Sequence, residues 1–230
     1  MGTIAASARV GGSPLSPSAS MAYILARANA YDAIRADEKF AAWADRVGGV
    51  DGVCLRGSWL HGLNHADSDC DLLVVGASVD DKARAVNIHA GGVDALCVTA
   101  GRFACLLAGA DQVCVEARAY GGVLWRGGAV GRALVESVRV PLPLLVAHYR
   151  GQAARDRAAL ASGRGELGRL VKLARNVARQ ELCADSLASR GVLPVVSWER
   201  VVDGVRALVD DGVVGAGVLA GVECMAGASQ

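Results

Sequence analysis

The stretch Gly57-Ser58-Trp59-Leu60-His61-Gly62-Leu63-Asn64-His65-Ala66-Asp67-Ser68-Asp69-Cys70-Asp71-Leu72-Leu73-Val74-Val75 decides how this chain is read. A Gly-Ser turn precedes an Asp-x-Asp pair that opens an apolar run. Side chains alternate along a strand, so Asp69 and Asp71 point to one face, about 6–7 Å apart along the backbone. Two carboxylates at that spacing can hold divalent cations between them. The Gly57-Ser58 turn offers open backbone N–H groups and a hydroxyl, which suit a phosphate. Metal and phosphate together point to nucleotide chemistry.

Working outward, a third acid occupies a comparable place. Asp94 sits in Val93-Asp94-Ala95-Leu96-Cys97-Val98, a second apolar strand expected to follow a helical crossover. Laid beside 70–75, that strand brings its carboxylate to the same end of the sheet as Asp69 and Asp71. Three gathered carboxylates repel one another strongly unless cations lie among them.

The 230 residues suffice for one sizeable core or two small ones. They are 53% hydrophobic but only 4% aromatic, so the core must be built from Ala, Val and Leu. The nearest approach to a long apolar run, 140–147, contains Pro141 and Pro143 and is far short of the roughly 18–20 residues of a membrane span. No membrane partner is expected. Residues 1–20 lack the basic start and apolar segment of a secretory signal. Ala6 stands where a myristoylation motif wants Ser or Thr. They read as a disordered leader, with Met21 as an alternative start. The seven cysteines are odd in number, irregularly spaced and free of Cys-x-x-Cys, which fits a reducing cytoplasm and gives no zinc framework. His61, His65 and Cys70 match no zinc template.

Hydrophobic spacing predicts a helix over 21–48, broken near Ala36-Asp37, a strand at 53–56 and a helical turn at 59–63. A strand at 70–75, a helix at 79–89 and a strand at 93–98 come next. Then follow a short helix at 102–107, an ambiguous segment at 113–117, an edge strand at 121–125 and a helix near 128–137. Pro141 and Pro143 resist a helix running through them, so the domain boundary is placed there. Helices at 143–161, 165–190 and 197–211 complete the chain, and the Gly/Ala-rich remainder reads as loosely held. The expected organisation is a leader (1–20), an α+β domain (21–140), a helical domain (141–212) and a flexible tail (213–230).

The ordered set Gly57, Ser58, Asp69, Asp71 and Asp94 resembles the DNA polymerase beta superfamily of nucleotidyltransferases. Within it, the similarity is to small bacterial and phage enzymes assigned to RNA repair. Their Gly-Ser-x-x-Tyr-Gly resembles Gly57-Ser58-Trp59-Leu60-His61-Gly62, and their Ser-Asp-x-Asp resembles Ser68-Asp69-Cys70-Asp71. Arg102-Phe103, Gly109-Ala110-Asp111 and Val115-Glu116 stand where the group has a basic-Phe helix, a Gly-Asn-Pro turn and a Leu-Glu. Gly151-Gln152-Ala153 matches a Gly-x-Ala, and Lys172-x-x-x-Asn176-x-x-Arg179 resembles a Lys-x-x-x-His-x-x-Arg helix. The likeness spans about residues 50–180. His61, Ala110-Asp111 and Asn176 depart from the pattern, and none of the departures touches the acids.

The resemblance implies a small mixed-sheet palm domain followed by helices. It also implies an enzyme that moves NMP from a nucleoside triphosphate such as ATP to an acceptor hydroxyl, with Mg²⁺ or Mn²⁺ as cofactor. Asp69, Asp71 and Asp94 are then the metal-binding and catalytic residues, and Gly57 and Ser58 hold the β/γ-phosphates. Three acceptors stay open: an RNA 3′ end, a protein hydroxyl or a small molecule. A non-catalytic binding relative of the same fold stays open beside these.

Charge bears on the helical half. Residues 150–179 carry a net +6 and the remainder −5, a pattern favoured by a polyphosphate or nucleic-acid ligand. Arg169, Lys172, Asn176 and Arg179 recur as one helical stripe, with Leu170, Ala174 and Val177 on another side. Lys172, Asn176 and Arg179 are therefore candidate nucleotide contacts. Glu116 reads as a buried structural acid, and Trp59, Trp125 and Trp198 as packing residues.

Overall fold

A computed structural model describes residues 21–64, 69–120, 123–126 and 128–228. The expected leader at 1–20, His65 and Ser68 lie outside the described residues. The chain is mixed α and β and divides into two compact units, Met1–Leu60 with Ser68–Pro141, and His61–Asp67 with Leu142–Gln230. Among the described residues no helix is long and apolar enough to cross a membrane.

The first unit opens with α1 (Met21–Arg35) and α2 (Glu38–Arg46). The break between them is a cap. The Asp37 carboxylate accepts hydrogen bonds from Lys39 N at 2.9 Å and Phe40 N at 3.1 Å, satisfying the first free amides of α2. The strands are β1 (Val50–Leu55), β2 (Cys70–Gly76), β3 (Val86–Ala90), β4 (Val93–Thr99) and β5 (Leu124–Trp125), in spatial order β3-β4-β2-β1-β5. Among the described residues β2 and β4 pair in parallel, and the other three pairings are antiparallel. Cys70, Leu72 and Val74 of β2 face an apolar cluster with Val93, Ala95 and Cys97 of β4 and with Tyr23, Ile34, Phe40 and Trp43 of the first helices. The short helix α3 (Ser58–His61) follows β1. Beyond β4 come α4 (Ala100–Ala108), α5 (Gln112–Ala119) and α6 (Ala129–Ser137), with α4 packed on α6, β2 and β4. The ambiguous segment 113–117 is thus helical. Asp111 caps it, its carboxylate accepting from Cys114 N at 3.0 Å.

The helix expected at 79–89 is not formed. Residues 81–83 make bends, and β3 takes Val86–Ala90 in place of the helix. Val86 and Ile88 alternate with exposed Asn87 and His89, a period of two that suits a strand half-covered on one face. Gly91 and Gly92, at φ 57° and 76°, then reverse the chain into β4, a backbone region closed to most side chains. A hairpin, not a helical crossover, leads into the second acidic strand.

The second unit holds α7 (Leu142–Ala161), α8 (Leu167–Arg190), α9 (Trp198–Asp210) and α10 (Ala216–Gly227). The expected loose tail is therefore a helix, packed on α8 and α9. Val218 and Val222, one turn apart, are buried. Gly221 lets α10 approach so closely that an added Cβ would lie 2.6 Å from Val171 Cγ2. Gly204 of α9 approaches Ala178 in the same manner, at 2.8 Å. Val222→Ala is expected to lower unfolding stability by about 1–3 kcal/mol. Urea denaturation followed by far-UV circular dichroism checks this, since an undocked tail would leave the midpoint unchanged.

Candidate functional site

The parallel register pairs Asp71 of β2 directly with Asp94 of β4. Residues paired across a ladder project to the same face, so the two carboxylates stand side by side at the start of their strands. Asp69 lies two positions before Asp71 and shares its parity. All three acids line one cleft of about 380 Å³, together with His89 and the hairpin residues Ala90, Gly91, Gly92 and Val93. Deeper on the same face, Leu73, Val75 and Val98 are fully buried, so the polar rim gives way at once to apolar packing.

The hairpin adds a residue absent from the sequence-based set. His89 pairs with Asp94 in the β3–β4 register, and its Nδ1 donates a hydrogen bond to Asp94 Oδ1. A carboxylate at neutral pH only accepts, so this contact fixes the proton on Nδ1. The period-two pattern of residues 86–90 was the available signal, and a helical reading of that segment hides it. Both side chains remain largely open to solvent, 70% for His89 and 58% for Asp94.

Asp71 has a different neighbour. Arg56, at the end of β1, donates its backbone N–H to Asp71 O at 2.8 Å, and its Nη2 lies 3.9 Å from Asp71 Oδ1. Gly57 follows with φ 61°, and a Cβ placed on it would sit 3.9 Å from Asp71 Oδ2. The left-handed turn thus carries the Gly57-Ser58 backbone past the Asp71 carboxylate, with Ser58 opening α3.

The donor chemistry suits a hard cation: three carboxylates, solvent-facing, with no competing thiolate among the cleft residues. Among the described residues, though, no group of three or more His, Cys, Asp or Glu side chains is arranged to hold a metal ion. Asp94 is engaged by His89 and Asp71 is faced by Arg56, so an ion would have to draw these carboxylates from their present partners.

Lys172, Asn176 and Arg179 lie on α8 of the helical unit, Lys172 exposed and the other two half-buried. Ala174 and Val177 are buried and Leu170 half-buried, as the apolar stripe requires. Arg179 Nη1 donates to Nε2 of buried His61 at 3.0 Å, across 118 residues and within the same unit. Two of the motif positions, the histidine at 61 and the arginine at 179, are therefore partners. Glu116 is buried in α5.

The acids also act on the thiol between them. Burial chiefly, then the charges of Asp71 and Asp69, raise the Cys70 pKa above its ordinary value. Removing one charge lowers that pKa and increases the thiolate fraction at a fixed pH. Asp71→Asn is therefore expected to speed alkylation of Cys70 by iodoacetamide at pH 8. Buried Cys54 and Cys97, each pushed up to about 12, stay slow. Peptide mass spectrometry over a time course reads all three, and an unchanged Cys70 rate would separate the thiol from the acid cluster.

No protein-family model matches this sequence, and no curated protein compared with it is a significant match.

Proposed function

We propose that this chain is a metal-dependent nucleotidyltransferase of the DNA polymerase beta type, moving a nucleoside monophosphate from a nucleoside triphosphate to an acceptor hydroxyl with release of pyrophosphate. The observation that carries the reading is the register that sets Asp71 opposite Asp94, with Asp69 on the same face of one cleft.

Asp69, Asp71 and Asp94 are the residues that would hold Mg²⁺ or Mn²⁺. Such an ion, when bound, neutralises phosphate charge and polarises the phosphoryl group. The chain's own residues do the rest. Gly57 leaves its turn without a side chain beside Asp71, and Ser58 adds a hydroxyl, so the pair serves the β/γ-phosphates. Asp94 has a second carboxylate oxygen besides the one that His89 occupies. That oxygen orients the acceptor hydroxyl and takes its proton as it attacks the α-phosphate. Lys172, Asn176 and Arg179 are assigned to the triphosphate or acceptor through the resemblance of their helix.

The same His89–Asp94 contact favours a second reading, in which a carboxylate already satisfied by a histidine belongs to a non-catalytic relative that binds nucleic acid or protein.

Labelling with each of four α-labelled nucleoside triphosphates, against total RNA, total protein and small hydroxylated acceptors, separates the readings. Transfer is expected to require Mg²⁺ or Mn²⁺ and to vanish in EDTA. Asp69→Asn and Asp71→Asn should each cut it on the order of 100-fold or more. Activity left intact by Asp69→Asn removes that acid from the chemistry, and no transfer to any acceptor sinks the enzymatic reading. Lys172→Ala is expected to raise KM for the nucleotide with little change in kcat, and an unchanged KM removes Lys172 from the site.

A further inference from the structure

A half-buried arginine ordinarily spends its donors on nearby acceptors. In the sheet unit Arg118 does so, donating through Nη1 to Val135 O at 3.0 Å and to Val138 O at 2.8 Å. Arg56 differs. Its side chain is 21% exposed, and its Nε is buried with no hydrogen-bond partner among the described residues. Its ion-pair contact is long: Nη2 stands 3.9 Å from Asp71 Oδ1, past hydrogen-bond range. A guanidinium carries five donors and stays protonated, and desolvating it is costly unless acceptors meet those donors.

The place of Arg56 in the sheet gives that deficit a meaning. β1 pairs Leu55 with Leu72, and the bond from Arg56 N to Asp71 O carries the ladder one residue further. Arg56 therefore falls opposite Asp71, which falls opposite Asp94, and all three share the face turned away from the apolar cluster. Gly57 comes next, at φ 61°, where the chain turns past the Asp71 carboxylate. A cation with unused donors thus adjoins both a candidate metal ligand and the turn assigned to phosphate. Asp71, once it ligates a divalent cation, shares its charge with that ion and holds Arg56 less firmly. A terminal phosphate then offers the guanidinium several oxygens in the planar, bidentate geometry that its fork matches. One long ion pair gives way to two closer ones.

We propose that Arg56 is a phosphate-binding residue of the carboxylate site: its guanidinium leaves Asp71 and takes the β/γ-phosphates of the nucleotide beside Gly57, so that the site selects di- and triphosphates over monophosphates. The proposal rests on the nucleotidyltransferase reading above. It adds a residue that the motif resemblance does not supply, on the strand side of the Gly57-Ser58 turn.

Binding is separated from transfer by the α,β-methylene analogues of the four nucleoside triphosphates, whose α–β bridge resists cleavage. The full chain is titrated by calorimetry in Mg²⁺ with these analogues, then with the diphosphate and monophosphate of the base bound best. Mn²⁺ alone is titrated by the electron paramagnetic resonance of the free ion. Arg56→Met is expected to weaken the triphosphate analogue and the diphosphate about tenfold or more, and the monophosphate little. Arg56→Lys, which keeps the charge but not the fork, falls between. Mn²⁺ affinity without nucleotide should hold or rise in Arg56→Met, because a cation competing for Asp71 is gone. A merely structural arginine would not give this divergence, since disorder at the site weakens both affinities together. Circular dichroism verifies folding, and Arg56→Gln replaces the methionine variant if that one does not fold. Unchanged analogue affinity in the Arg56 variants, equal loss for monophosphate and triphosphate, or a parallel fall in Mn²⁺ affinity overturns the role of Arg56. If Asp71→Asn abolishes Mg²⁺-dependent binding while the Arg56 variants match wild type, the transferase reading stands and Arg56 alone is dropped. Wild type that binds none of the nucleotides in Mg²⁺ removes both.

Discussion

Everything distinctive about the sheet unit depends on the parallel pairing of β2 with β4. Leu72, Val74, Ala95 and Cys97 lie on one face in a single apolar cluster. Because strand side chains alternate, burying those four obliges Asp71 and Asp94 to take the other face at the rim. A slip of β4 by one residue would turn Asp94 into the apolar cluster and bring Ala95 and Cys97 out of it. The hydrophobic core therefore polices the register of the acids, at no cost in extra polar contacts. Stability and site geometry are the same constraint seen from two faces of one sheet.

Gathering carboxylates at one rim raises an electrostatic problem that the neighbouring strands address from both sides. Arg56 comes from β1 and reaches Asp71; His89 comes from β3 and reaches Asp94. Asp71 and Asp94 thus lie side by side, with Arg56 flanking the first and His89 the second. Arg56 is the more buried of the two partners and is tied by its backbone to Asp71 as well. His89 is more open than the acid it meets. The Asp94 end of the row is accordingly the more solvent-exposed end.

What the sequence made legible follows how locally each signal was encoded. The two acidic strands announce themselves through apolar runs and the alternation of Asp69 and Asp71. The helix break at Asp37 is written in a single capping residue. The segment 79–89 misled because Ala83, Arg84 and Ala85 are good helix formers, while the strand period rests on Val86 and Ile88 alone. With β3 hidden, His89 had no reason to be placed beside Asp94. The tail misled by composition: its glycines read as looseness, whereas Gly221 is small because Val171, fifty residues upstream, lies against it. The contact of His61 with Arg179 likewise has no local signature. The pairing of motif positions 118 residues apart is a property of the folded unit, not of either segment.

The charge pattern of α8 shows why a sequence stripe is an incomplete guide to a cationic surface. Val171, Ala174, Val177 and Ala178 form its buried side. Arg169 and Lys172 stand well clear of it and are solvated, where an unpaired cation costs little. Arg175 occupies the border, so packing of its stem drags the guanidinium into partial burial against Trp198. A helical stripe groups residues by direction, but the energy of an unpaired charge depends on desolvation. Arg157, on α7, shows the alternative outcome: under comparable partial burial its head is supplied with Glu181 and Asp211. The difference between these two arginines lies in their neighbours: Arg157 meets two carboxylates, whereas Arg175 meets the Trp198 ring and, among the described residues, no ion-pair partner.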